Sequence, residues 1–89
     1  MNNISYIIQV KRNRMKSFVS IYGYLSNFYF EAKRYKSLSW AIKRYNEFKN
    51  YGYEDVKILK DDSDETYITY IKEEVDVEKI ILQRKIKLI

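Results

Sequence analysis

The stretch Ser37 to Gly52, "SLSWAIKRYNEFKNYG", changes the period of the chain and sets the class of the fold. Leu38, Ala41, Ile42, Tyr45 and Phe48 stand at i, i+3, i+4, i+7 and i+10, so they form one apolar stripe on a 3.6-residue helix. Ser37 occupies the N-cap position and Gly52 offers the left-handed conformation that ends a helix. A helix from Ser37 to Tyr51 is expected, and its stripe requires an apolar surface to lie on.

The flanking segments read with period 2 and supply that surface. "ISYIIQVK" alternates Ile4, Tyr6, Ile8 and Val10 with Ser5, Ile7, Gln9 and Lys11, the pattern of a strand. "RNRMK" is a polar hairpin loop. "SFVSIYGYL" alternates Val19, Ile21, Gly23 and Leu25 with Phe18, Ser20, Tyr22 and Tyr24, and "SN" offers the next turn. "FYFEAKRY" then sets Phe28, Phe30 and Ala32 against Tyr29, Glu31 and Lys33, which predicts three antiparallel strands in a meander. Beyond the helix, "YEDVKILK" and "ETYITYIKE" read as a second hairpin around the acidic turn "DDSDE".

The tail "VDVEKIILQRKIKLI" fits two readings. Asp76 as N-cap with Val77, Ile80, Ile81 and Leu88 suits a short helix. Ile80, Leu82, Ile86 and Leu88 alternate as a strand, with Arg84 breaking the pattern, and the strand is the preferred reading. The order β-β-β-α-β-β plus a C-terminal strand or short helix predicts an α+β fold, a small mostly antiparallel sheet with one helix packed on one face. Ile8, Val10, Val19, Ile21, Leu25, Phe28 and Phe30 are then the expected core, while Tyr22, Tyr24 and Tyr29 project from the open face.

Eighty-nine residues without repeat or linker are read as one compact domain spanning 1–89. A chain of this size buries only about 60 to 65% of its unfolded surface, so its core must be dense. Hydrophobic residues make up 46% of it, and ten of its aromatics are Tyr, whose rings bury area while the hydroxyl keeps a polar partner. No apolar run approaches the roughly 18 residues of a membrane span, and "MNNISYIIQVKR" lacks the features of a signal peptide. A cytoplasmic protein with no membrane association is expected. Ile, Lys, Tyr and Asn supply 40 residues, whereas Ala, Gly and Pro supply four, a bias that points to an AT-rich gene of a low-GC bacterium, phage or mobile element.

The chain contains no Cys and no His, which removes thiol nucleophiles, imidazole bases, disulfides and the usual zinc ligands. Asp61, Asp62, Asp64 and Glu65 cluster in the expected exposed turn, where nothing shifts their pKa values. Their spacing departs from an EF-hand loop, which requires a central glycine and a bidentate Glu at the twelfth position. No GxGxxG, Walker-A or GxSxG pattern occurs. No catalytic, metal-binding or cofactor-binding residue is assigned, and an enzyme is not expected.

Charge is unevenly placed. Met1 to Gly52 carry ten Lys or Arg against two acids, whereas Tyr53 to Glu78 carry ten acids against three Lys. Pairing between the halves would neutralise this; otherwise the first half presents a cationic face. Arg12, Arg14 and Lys16 in the first loop, with Lys33, Arg34 and Lys36 before the helix, form that face, and Tyr22, Tyr24 and Tyr29 add aromatic area. Trp40 stands beside the helix stripe with Lys36, Lys43 and Arg44 within one turn. It is expected at the core edge, or, if exposed, as an interface anchor. "KSFVSIYGY" places Ser where the RNP1 motif of RNA-binding sheets requires Gly, so that motif is not matched.

These features predict a non-enzymatic macromolecule-binding protein, read as a small phage or mobile-element factor that inhibits a host nucleic-acid machine by docking on a host protein or nucleoprotein complex. The alternatives are a direct DNA- or RNA-binding module using the basic half, and a homo-oligomeric accessory subunit, such as a homodimer that buries its open sheet face.

Overall fold

The computed structural model describes residues 4–61 and 73–87. Five antiparallel strands form one sheet in the order β3-β2-β1-β4-β5, with β1 at Ser5–Arg12, β2 at Met15–Val19, β3 at Leu25–Ser26, β4 at Asp55–Asp61 and β5 at Glu73–Val75. Helix α1 runs over Leu38–Asn50 and helix α2 over Val77–Lys87. The α+β class read from the sequence is the observed one. The central ladder is β1 against β4, running from Ser5 opposite Asp61 to Lys11 opposite Asp55.

β1 and β2 are joined through Asn13 and Arg14, both left-handed at φ 48° and 68°. Two such residues in succession match the right-handed twist of the flanking strands. Asn tolerates this conformation, but at Arg14 the Cβ atom makes it costly.

Helix α1 lies where its stripe predicts. Ala41, Ile42, Tyr45 and Phe48 are buried against Ile8, Val10, Val19, Val56 and Ile58 of the sheet. Ser37 holds the N-cap position with extended backbone, yet its side chain makes no capping hydrogen bond. The C-terminus closes as a Schellman motif: Gly52 at φ 101° donates to the Lys49 carbonyl, and Tyr53 donates to that of Phe48. The Tyr53 and Phe48 rings, 5.7 Å apart, seal it.

The expected third strand over Phe28 to Tyr35 does not form. β2 stops at Val19 because the Ser20 hydroxyl accepts the Tyr22 amide and Gly23, at φ 88°, turns the chain. After the two residues of β3, the Ser26 hydroxyl accepts the Phe28 amide, and Tyr29–Glu31 wind into a single 3-10 turn. Side chains then recur every three residues rather than every two. Tyr29 and Ala32 therefore turn inward, while Phe28 and Phe30, expected in the core, are exposed, as is Ile21 in the β2–β3 loop. Lys33 and Tyr35 tie the following segment back by backbone bonds to Val19 and Tyr6.

This segment, 27–35, straps the second face of the sheet with Tyr29 and Ala32, then runs in the plane of the sheet beside β2 and β1 and turns Lys33 and Tyr35 toward the α1 side. Beneath it lies a small second core of Ile7, Phe18 and Ala32, with the Tyr29 ring edge-on to Phe18 at 5.4 Å. Tyr29 thus does not project from an open sheet face. Its hydroxyl donates to the Asp61 carboxylate at 2.5 Å, and the Arg34 guanidinium meets the same oxygen at 2.8 Å. Asp61 is 1% exposed, in contrast to the solvated turn expected for it. Two partners from the strap make its burial tolerable, because a buried carboxylate without them would cost several kcal/mol. The remainder of "DDSDE" and the expected strand at 65–73, apart from Glu73, lie outside the described residues.

The C-terminal segment is helical, which corrects the preferred strand reading. Asp76 accepts the Lys79 amide at 3.1 Å as an N-cap, and Val77, Ile80 and Ile81 turn one face toward the main core.

Four expectations for stability follow from these contacts. Ile42→Ala removes a buried side chain from the helix–sheet contact and should cost about 2 to 5 kcal/mol, read by denaturant unfolding. Asp61→Ala removes the buried carboxylate that Tyr29 and Arg34 share and should cost about 3 kcal/mol, whereas substitution in a solvated turn would cost almost nothing. Arg14→Gly should stabilise by about 1 kcal/mol by relieving the left-handed backbone. Burial, followed by the bond to Asp61, pushes the Tyr29 hydroxyl well above the ordinary tyrosine range. The folded chain therefore holds this proton more tightly than the unfolded one. Its contribution is complete below pH about 10 and is lost as pH rises further. Tyr29→Phe should make the fall in melting temperature above pH 10 shallower; an unchanged slope would assign it to Tyr35 or Tyr45, whose hydroxyls burial also raises.

Candidate macromolecule-binding furrow

The strap decides where the remaining aromatic and cationic groups go. The β2–β3 loop and α1 face each other across a furrow. One half, a cleft of about 260 Å3, lies between Ile21 and Gly23 of the loop and Trp40, Lys43 and Arg44 of the helix, with Lys33 and the buried Tyr35 also lining it. The other half, about 530 Å3, lies between Arg12, Tyr24 and Leu25 on one side and Phe48, Tyr51 and Tyr53 on the other. Gly23 and Arg44 line both halves. The Ser20–Tyr24 and Gly23–Ser20 backbone bonds close the loop on itself.

Each of the four cations in the furrow sits over a ring. Lys43 Nζ is 5.0 Å from the Trp40 ring centre, Arg44 Cζ is 5.2 Å from that of Phe48, Lys33 Nζ is 5.3 Å from that of Tyr35, and Arg12 Cζ is 6.0 Å from that of Tyr53. Rings hold these charges in place without cancelling them. Glu47 is the one carboxylate among the described lining residues, and it pairs with Arg44. That hydrogen bond raises the pKa of Arg44 further, so its charge persists across the working pH range. Among the described residues, no carboxylate lies within ion-pair distance of Arg12, Lys33 or Lys43.

Three acids of the second half lie away from the furrow. Glu74, Asp76 and Glu78 line a separate cleft beside β5 and the start of α2, at the opposite edge of the sheet. Among the described residues, one ion pair, Arg34 with Asp61, joins the basic and acidic halves of the chain. Among the described residues, neutralisation across the halves is confined to that buried contact.

The residues singled out in the sequence divide accordingly. Arg12, Tyr24, Lys33 and Trp40 meet in the furrow, and Tyr22 stacks on Tyr24 at 5.6 Å with ring planes 13° apart. Trp40 is 62% exposed and does not complete the core edge. Tyr29 and Arg34 are engaged with Asp61 on the other side of the sheet. Arg14 lies at the β1–β2 turn, Lys36 is exposed between strap and helix, and Lys16 stands opposite Lys11 on the sheet face turned away from α1. The furrow also includes Lys43, Arg44, Tyr51 and Tyr53, which the sequence reading did not select. The signal for the first two was their i+3 and i+4 spacing from Trp40. Comparison with known protein families, curated proteins and solved structures finds no match to this chain.

Proposed function

We propose that this chain is a non-enzymatic macromolecule-binding protein that docks on an anionic partner through the furrow between α1 and the β2–β3 loop. The observation that carries this reading is the set of four ring-seated cations facing a single carboxylate. Exposed aromatic rings beside fixed positive charge are the side chains that dominate binding energies. Charge held in a concave surface also attracts an oppositely charged partner from a distance. The acidic edge beside β5 lies away from the furrow and orients that approach.

Immobilised protein incubated with extract of the native host tests this reading by comparing surfaces. Lys33→Glu with Lys43→Glu should abolish capture of the partner retained by the parent, while Lys57→Glu at the far edge should leave it unchanged. Nuclease treatment of the extract separates nucleic acid from protein among the retained material. Equal capture by all three proteins would place binding on another surface.

A further inference from the structure

We propose that the partner seated in the furrow is a single-stranded nucleic acid, with bases stacked on Trp40 and Tyr24 and phosphates met by Lys33, Lys43 and Arg12. The inference rests on the macromolecule-binding reading and narrows it to one chemical class.

Ring geometry separates nucleic acid from an acidic protein. Trp40 and Tyr24 are 62% and 57% exposed, and Tyr22 and Tyr24 already form a near-parallel stack. A parallel pair continues naturally into a third flat ring, and a base stacked on an aromatic side chain is held whatever its identity. An acidic peptide would satisfy the cations but would offer nothing flat to these rings. Edge pairing with a protein strand is also limited, because the outer strand beside the furrow, β3, is only two residues long.

The spacing of charge and ring fits a strand of nucleotides. Lys43 lies 5.0 Å from the Trp40 ring centre, so a base on the open part of the indole has its own backbone near an ammonium group. Arg12, which packs on Tyr53, provides the equivalent group at the far end of the furrow. Trp40 and Tyr51 bracket the furrow along α1, separated by roughly 16 Å of helix axis, a length that spans a few nucleotides. Duplex DNA is disfavoured by shape: reading a major groove requires a protruding element, whereas these cations line a concavity between a helix and a loop. Stacking also requires bases already free of their partners.

The sole tryptophan of the chain is Trp40, so its emission is a built-in reporter of stacking. The full-length protein is titrated at low salt with labelled oligonucleotides of about 12 residues, in oligo-dT, oligo-rU and mixed-sequence forms, and with the mixed sequence as duplex and polyglutamate as polyanion controls. Single strands should bind with quenching of Trp40 emission and a steep loss of affinity with salt, and duplex at least tenfold more weakly. Tyr24→Ala should weaken single-strand binding roughly five- to a hundredfold, as expected for one lost base stack. Lys43→Glu with Arg12→Glu should weaken it further and flatten the salt dependence, while Lys57→Glu leaves both unchanged; circular dichroism checks that each variant is folded. Duplex or polyglutamate binding at or above the single-strand affinity overturns the single-strand assignment while leaving a cationic docking furrow intact. Single-strand binding that is indifferent to Tyr24→Ala and leaves Trp40 emission unchanged overturns the stacking seat. Failure of every polyanion to bind overturns the single-strand assignment and, with it, the anionic-partner reading.

Discussion

Ile7 and Ile8 are neighbours in β1, point to opposite faces of the sheet, and are both wholly buried. That single constraint organises the molecule, because each face of the central strand must be covered by something apolar. Helix α1 covers the Ile8 face. A chain of this length has no second long helix available at that position, so the Ile7 face is covered by its own connection, the strap between β3 and α1. Exposing either face would forfeit roughly 1.5 to 3 kcal/mol for each large aliphatic side chain returned to water.

Covering a sheet with a strap of irregular backbone creates a second demand. Its polar groups must be satisfied where they approach the core. Ser20 and Ser26 accept amides at the two reversals, and Lys33 and Tyr35 return backbone bonds to β2 and β1. Asp61 completes the arrangement from the end of β4, accepting from Tyr29 and pairing with Arg34. An ion pair of this kind adds little net stability over an apolar substitute, and here it ties Tyr29 and Arg34 of the strap to the end of β4. The segment serves both sides of the sheet: Tyr29 and Ala32 pack on the Ile7 face, while Lys33 and Tyr35 line the furrow on the α1 side.

Electrostatics and packing then act together on the helix side. Trp40 and Tyr53 lie beside Lys43 and Arg12, which have no carboxylate partner among the described residues, and Glu74, Asp76 and Glu78 line a cleft at the β5 edge. In low-salt water such a separation extends over about a Debye length, long enough to orient a charged partner before contact. The core residues of α1 hold the outward face rigid, so Trp40, Lys43 and Arg44 are presented at little further cost in ordering.

Local signals were legible wherever the physics is local. The α1 stripe, its Ser37 start and its Gly52 stop depend on residues within a few positions of one another, and the sequence alone determined them. Alternation likewise located β1, most of β2 and β4, and the counts of charge announced a basic first half. Alternation says which residues share a face, but not which face is buried or where a strand ends. The fates of Tyr29, Phe28 and Phe30 were set by serine hydroxyls that convert a period of two into a period of three, and by the need to cover Ile7. Asp61 looked solvated in a run of acids, and its burial depends on Arg34 and Tyr29, about thirty residues away. The furrow joins residues from β1, the β2–β3 loop, the strap and α1, and their convergence carried no local signal. Tertiary structure alone decided it, because contacts between segments distant in sequence are settled by which faces must be covered and not by any pattern within a segment.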